Sequence, residues 1–346
     1  MKKYRIAVVG LGAVGREMIA TLEKSSLPIA EVVPLVRRNE GEILNFRGKT
    51  FTSKLVQKGS FRNIDIALFS AGEDASKELA PQAIAEGAVV IDNSSAFRMN
   101  SDVPLVIPEV NPQDAKNHLG LIANPNCSTI QMVVALKPIH DRFKVKRVVV
   151  STYQSVSGTG YHAIDELNKQ MEDIVYGRDV SHSVYPHQIA MNILPHIDKF
   201  TDNGYTKEEL KMHNETKKIL GDDTIRVTAT TARVPVIRCH SEAVNIETEK
   251  PLPDAEEIKK IIAAAPGIIL VDDTESNTYP LAVDCAGRYE VFVGRIRKDY
   301  TIDNGLNMWV VADNLLKGAA LNAVQIAELL AANGWVKPAV QKQLAL

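Results

Sequence analysis

The sequence has 346 residues, 45% of them hydrophobic, with 40 Lys and Arg set against 42 Asp and Glu for a formal net charge of -2. That length fits two domains with sizeable cores. A balance so close to neutral supplies no long-range field for nucleic acid or an anionic membrane, so neither is expected as a partner. The opening run, Ile6-Ala7-Val8-Val9 after a basic start, is too short for the apolar region of a secretory signal, and no run reaches transmembrane length. Three widely spaced cysteines, Cys127, Cys239 and Cys285, lack any C-x-x-C metal signature. Free thiols in a reducing cytoplasm, and no metal, are the expectation.

Tyr4 to Val9 is a short β-branched run that ends in Gly10-Leu11-Gly12-Ala13-Val14-Gly15, followed by Arg16 to Lys24 at helical spacing. This is G-x-G-x-x-G in a strand-turn-helix setting, the fingerprint of a dinucleotide fold. Its glycines allow a tight turn and close approach of backbone to pyrophosphate, and the helix start supplies amide donors. The next strand, Glu31 to Val36, ends at Arg37-Arg38, where an NAD-specific site would place Asp or Glu on the ribose 2'-hydroxyl. Two guanidinium groups there favour the 2'-phosphate of NADP, the alternative being a solvated basic loop.

Ile64 to Phe69 reads as a buried strand closing on Ser70-Ala71-Gly72, with a helix over Asp74 to Glu86 and a further strand over Ala88 to Ile91. Strands and helices alternate with short joints, which predicts a doubly wound parallel sheet. Asp92 to Arg98 follows a strand end, where ligands collect in such sheets. Arg98 is there either an anion clamp or an ordinary surface arginine.

Leu119 to Ala123 is another apolar run, and Asn124-Pro125-Asn126-Cys127-Ser128-Thr129 leads into a helical pattern from Ile130. Cys127 therefore falls where a strand gives way to a helix. Free amides and the positive end of the helix dipole stabilise a thiolate at that position, which suits a nucleophile.

Beyond it, Lys146 to Gln154 is an alternating strand and Ser155 to Gly160 a small-residue turn, with a helix expected from about Ala163 to Ile174. Gln154 points an amide at a ligand or is a loop glutamine; spacing leaves both open. Tyr205 to Leu220 is a charged helix with Thr206 as N-cap and Glu209 in the capping-box position. Glu208 and Lys211 share a face of it, the usual geometry of a solvated ion pair.

Thr224 to Thr231 is a strand, and Arg233 to Ser241 is expected to begin another. His240 has cationic neighbours that depress its pKa and leave it neutral as a base. Arg233 and His240 are seven apart, so a regular strand projects them to opposite faces, and a bend near Pro235 is needed for both to line one pocket. Cys239, taken as mid-strand, is expected to be an inert packed thiol. A capped helix runs on from Asp313-Asn314 and is ended by Gly334.

Taken together, Gly10 to Gly15, Asp92 to Arg98, Pro108-Glu109-Val110-Asn111, Asn124 to Thr129, Ser151 to Gly158, Glu208-Glu209-x-Lys211, Arg233 to Ser241 and Asp313 to Ala320 give a chain that resembles the bacterial aspartate-semialdehyde dehydrogenase family. The resemblance spans nearly the full length, in the family's order. It implies reversible, NADP-dependent conversion of L-aspartate 4-semialdehyde and phosphate into L-4-aspartyl phosphate, run in cells toward the semialdehyde. It implies Cys127 as nucleophile and His240 as acid/base, with Arg233 on the substrate α-carboxylate, Glu208 on its α-amino group and Gln154 helping to orient it. Arg98, Asn126 and Lys211 correspond to the phosphate site. Gly12, Ala13, Val14, Gly15, Arg38, Ala71, Gly72, Ser157, Gly158 and Asn314 correspond to the NADP site, to which the residue reading adds Gly10 and Arg37.

The expected architecture is a Rossmann domain, 1–127 plus 315–346, and a mixed α/β catalytic and dimerisation domain, 128–314, giving a homodimer. Two departures bear on the cofactor. Leu11 stands where the family commonly has Ala-Thr, and Val36-Arg37-Arg38-Asn39-Glu40-Gly41 lacks the family's serines, which relaxes the preference for NADP over NAD. N-acetyl-γ-glutamyl-phosphate reductase is the alternative enzyme, sharing the cysteine chemistry, but Arg233 and Glu208 suit a free amino acid. A malonyl-CoA reductase would not need Glu208. A non-catalytic NADP-binding homologue has no use for the Cys127 and His240 pair.

Overall fold

A computed structural model describes residues 2–337. The chain divides into two compact units, one from Met1 to Asn126 that the chain rejoins at Ala319, the other Cys127–Gly318.

The first unit is built on buried, β-branched runs. Strand β1 is Tyr4–Val9 and helix α1 is Ala13–Lys24; β2 is Ile29–Val36, β3 Ile43–Phe46, β4 Lys49–Thr52, β5 Lys54–Leu55 and β6 Ile66–Phe69. Helix α2, Glu73–Ala85, leads to β7, Val89–Asp92, and β8 is Leu121–Ala123. Six strands form one sheet in the order β5-β2-β1-β6-β7-β8, with every pairing parallel. Strands β6 and β7 are buried at every position, as parallel strands covered on both faces must be. The returning helix, Leu321–Ala332, packs beside α1. The sequence reading gives no element between Val36 and Ile64, where β3 and β4 make a separate antiparallel hairpin. Its two-residue turn, Arg47-Gly48, has both φ positive, the twist that suits a tight hairpin.

The second unit opens with α3, Cys127–Phe143, then β9, Val145–Gln154, α4, Tyr161–Val175, and α5, Lys207–Leu220. Strands β10, Arg226–Arg233, and β11, His240–Thr248, precede α6, Ala255–Ala263, and β12, Ile268–Leu270. A short α7, Ala282–Cys285, then β13, Val291–Asp299, and β14, Gly305–Ala312, complete it. The sheet order is β10-β9-β11-β14-β13-β12; β9 pairs parallel with β10 and antiparallel with β11. Burial alternates along β9, β10 and β11, so one face packs on helices while the other is half exposed.

Two expectations need correction. Arg233 to Ser241 is not one strand: Arg233 ends β10 and His240 begins β11, with a loop between them. Cys239 accordingly lies at the loop's end, not mid-strand, with a left-handed φ of 76°. The helix expected from Asp313-Asn314 begins as a π-helical turn, Leu316–Ala320; the Asp313 carboxylate accepts from the amide of Leu315 just before it at 3.0 Å and from that of Leu316, its first residue, at 3.2 Å. Regular α-helix starts only at Leu321.

Candidate active site

Strand register assembles the second unit's site. Arg233 pairs with Gln154 at the end of β9, and Ser241 pairs with Tyr153 on the other side. Arg233, Gln154 and His240 thus come from three adjacent strands at one end of the sheet. The bend that the sequence reading required is supplied by a loop crossing the end of β9, tied down by Val156 N–H to Val236 O at 2.9 Å. All three side chains are buried. Gln154 is therefore not a loop residue.

Arg233 Nη1 donates to the Ser155 carbonyl at 2.6 Å, and the guanidinium carbon Cζ lies 6.0 Å from the centre of the Tyr185 ring. Gly158 makes room for it. A β-carbon there would stand 3.0 Å from Arg233 Nη1 and 3.4 Å from His240 Cε1. Across Gln154, Glu208 is 5% exposed, so it is not the solvated partner that helical spacing alone suggests. Its Oε1 accepts from Gln154 Nε2 at 3.2 Å and its Oε2 from Lys211 at 3.1 Å, and Lys211 also reaches Asp198 at 2.8 Å. The N-terminus of α5, which carries this pair, is fixed by the full capping box between Thr206 and Glu209.

The His240 Nδ1 accepts the Ser155 main-chain N–H at 3.0 Å, so the neutral ring carries its proton on Nε2. Nε2 is buried without a partner among the described residues. Burial first, and Arg233 second, lower the His240 pKa to about 3. The ring is neutral at physiological pH, with burial and not a cationic neighbour as the larger cause.

Cys127 is the first residue of α3 and half-buried, and Gly318 lies against it. One turn later Gln131 donates to the His240 carbonyl at 3.2 Å, which sets the start of the helix beside the start of β11. The other two thiols sit in an apolar cluster with Phe292 and Val311. Burial pushes both above the usual thiol range, Cys285 to about 12, as inert packed cysteines should be. Asn314 Oδ1 takes hydrogen bonds from Cys239 N and Ser155 Oγ, both at 3.0 Å, and Asn314 Nδ2 donates to Ser157 Oγ at 3.0 Å.

In the first unit, Gly10 has φ +94° and packs on Ala71, while a β-carbon on Gly15 would strike the Gly10 carbonyl at 1.9 Å. Gly12 caps α1 with no side-chain hydrogen bond, and space is open where its β-carbon would be. Ala13 and Val14 begin that helix. Gly72, φ +89°, caps α2 in the same uncapped way. This cradle fits a pyrophosphate. Arg37 and Arg38 are exposed at the end of β2, and Arg37 is engaged with Glu78 at 2.9 Å.

Arg98 is 8% exposed and donates to the Asn93 carbonyl at 2.7 Å, which removes the surface-arginine reading. The turn before Cys127 is pinned by Asn124, bonded to Asn93 at 2.8 Å and to Asn322 at 2.6 Å; Asn126 is buried. Among the described residues no group of three His, Cys, Asp or Glu is arranged to hold a metal, and no helix is long and apolar enough to cross a membrane.

Sequence reasoning missed Ser155, Tyr185, Gln131 and the role of Gly318. Only the last carried a signal, a glycine inside a helical pattern.

Two family models match: "Semialdehyde dehydrogenase, NAD binding domain" over residues 5–118 and "Semialdehyde dehydrogenase, dimerisation domain" over 136–317. The aspartate-semialdehyde dehydrogenase of Aquifex aeolicus is 55% identical, over 96% of this chain and 99% of that one. The enzyme of that name from Bacillus subtilis is 48% identical, over 94% and 96%. Among solved structures, aspartate semialdehyde dehydrogenase II from Vibrio cholerae superimposes with a TM-score of 0.93 at 46% identity, covering 96% of this chain and 99% of that one. The same enzyme complexed with ASA gives the same figures. Sequence, both domains and fold agree: the chain belongs to the aspartate-semialdehyde dehydrogenase family.

Proposed function

We propose that the protein interconverts L-aspartate 4-semialdehyde plus phosphate and L-4-aspartyl phosphate through a thioester on Cys127, with NADP as its redox cofactor. One observation carries the choice of substrate. A buried guanidinium, Arg233, and a buried carboxylate, Glu208, stand on either side of Gln154. A free amino acid presents the complementary charges, its carboxylate to Arg233 and its ammonium to Glu208. Acylation of that amine, as in N-acetylglutamate semialdehyde, removes the charge and leaves Glu208 facing a neutral amide.

Cys127 adds as thiolate to the aldehyde carbon, forming a C–S bond and a tetrahedral oxyanion. His240 faces the site through Nε2 and manages the proton on the adduct; its neutral form, set by Ser155, starts as a donor toward that oxygen. The substrate carboxylate on Arg233 offsets the charge that helps depress His240, raising its pKa when substrate is bound. Bound NADP would take up the hydride, leaving the thioester. Phosphate then displaces Cys127 at the acyl carbon, with Arg98, Asn126 and Lys211 assigned to bind it and to offset charge as the acyl phosphate forms. Gly10, Gly12, Ala13, Val14, Gly15, Arg37, Arg38, Ala71, Gly72, Ser157, Gly158 and Asn314 are assigned to the cofactor. Arg38 is the stronger candidate for the 2'-phosphate, since Arg37 already has Glu78.

The protein acts as a cytoplasmic homodimer in this reading. The half-exposed face of the mixed sheet carries Tyr153 and Trp309 with ring centres 5.6 Å apart, beside a hollow of about 400 Å³ lined by Ser241, Ala243 and Arg297. A second copy of that face would cover it, consistent with the matched dimerisation domain. Sedimentation at micromolar concentration tests this, and a monomer would contradict it.

The test of the reaction is reduced-cofactor formation from L-aspartate 4-semialdehyde, with and without phosphate, with NADP and NAD in parallel. Phosphate-dependent reduction that favours NADP is expected. Activity with N-acetylglutamate semialdehyde in its place would move the assignment to the alternative reductase.

A further inference from the structure

Two residues past His240 on β11, Glu242 is 0% exposed. The flanking strands place Thr152 and Val310 beside it, and α3 packs on this strand. Neither carboxyl oxygen has a hydrogen-bond partner among the described residues, and the same is true of Gln131 Oε1 on α3. Gln131 is itself buried, donates through Nε2 to the His240 carbonyl, and lies one turn after Cys127 on the same face of the helix.

Three buried oxygens with no donor among them form a costly arrangement, about 1–3 kcal/mol for each unsatisfied group and more for a charge. A single proton resolves it. On Glu242 it turns one carboxyl oxygen into an O–H donor, and Gln131, whose side chain faces that carboxyl, holds an acceptor lacking a donor.

We propose that Glu242 is a positioning residue: as a neutral acid it donates to Gln131 Oε1, fixing the carboxamide whose Nε2 ties the main chain at His240 to the helix that begins with Cys127. Burial holds the Glu242 carboxyl well above the usual carboxylate range, against the smaller opposing pull of the Gln131 side chain beside it. The proposal rests on the roles given above to Cys127 and His240. Glu242 acts only through the spacing of those two.

Infrared difference spectroscopy of the full-length wild type against Glu242→Gln is the direct test, because a buried carboxylic acid has a C=O stretch that a carboxylate lacks. A band present at neutral pH in the wild type and lost in the variant is expected; no such band overturns the proposal. In kinetics, Glu242→Gln keeps a donor in place and holds kcat within about twofold. Glu242→Leu lowers kcat roughly 10- to 100-fold with the KM for semialdehyde little changed. Equal losses in both variants, or full kcat in the Leu variant, also overturn it. If the Leu variant does not fold, the spectrum and the Gln variant decide. A wild type inactive on the semialdehyde would count against the proposed function instead, leaving the infrared band as expected.

Discussion

A β-carbon on Gly318 would stand 2.7 Å from the β-carbon of Cys127, closer than real side chains approach. The π-helical turn containing Gly318 therefore sets where the sulfur can be. Gly318→Ala forces one of the two to move, at about 1–3 kcal/mol of stability. Displacement on the ångström scale costs roughly 100-fold in kcat. Thermal unfolding and steady-state kinetics on the same preparation check this, and an alanine variant with wild-type kcat would show that the turn gives way harmlessly.

Cys127→Ala is expected to lose turnover by roughly 10⁴-fold or more while still binding NADP. Cofactor titration by fluorescence alongside the activity assay separates the two effects. Substantial residual activity would point to a different nucleophile, although Cys239 and Cys285 are poor candidates as protonated, enclosed thiols.

Arg233→Leu removes the charge assigned to the amino-acid carboxylate. The KM for semialdehyde should rise roughly 10- to 100-fold, the value of a charge-assisted hydrogen bond, with the KM for phosphate changing far less. Equal rises in the two constants would undo the assignment.

The neutral acid at Glu242 has a consequence for stability against pH. Above about 4.5, its ordinary value, the unfolded chain releases this proton while the folded protein keeps it. The unfolded state then binds fewer protons, so this group's contribution is complete at low pH and falls as pH rises, by about 1.4 kcal/mol per unit. Glu242→Gln lacks that term. Urea denaturation at a series of pH values rising from about 4.5 should show the variant gaining on the wild type until the folded carboxyl itself ionises, and a difference that never changes would mean that Glu242 is ionised in the fold.

Much of this was legible in the chain because local signals and tertiary structure agree. The glycine fingerprint, the capping box at Thr206 and Glu209, and the position of Cys127 at a helix start are each set by residues within one turn of one another. The joint between β10 and β11 was not, because it depends on pairing with β9, more than 70 residues earlier by number. Burial of Glu208 and Arg98 was hidden for a similar reason: spacing on a helix or loop says which residues are neighbours, not what covers them. Glu242 drew no reading from the sequence, and the lack of a hydrogen-bond partner for its carboxyl oxygens among the described residues exists only in three dimensions.

The enclosure of Cys239 and Cys285 makes the protein its own standard for counting functional molecules. An aromatic disulfide reagent should react with one equivalent of thiol in the native state, at half-buried Cys127, and with three after denaturation. The native reading divided by half the difference between the two readings, which counts the two enclosed thiols of each molecule, then gives the fraction of a preparation whose nucleophile is reduced and reachable, before any substrate is added. Turnover numbers can be referred to that fraction instead of to total protein.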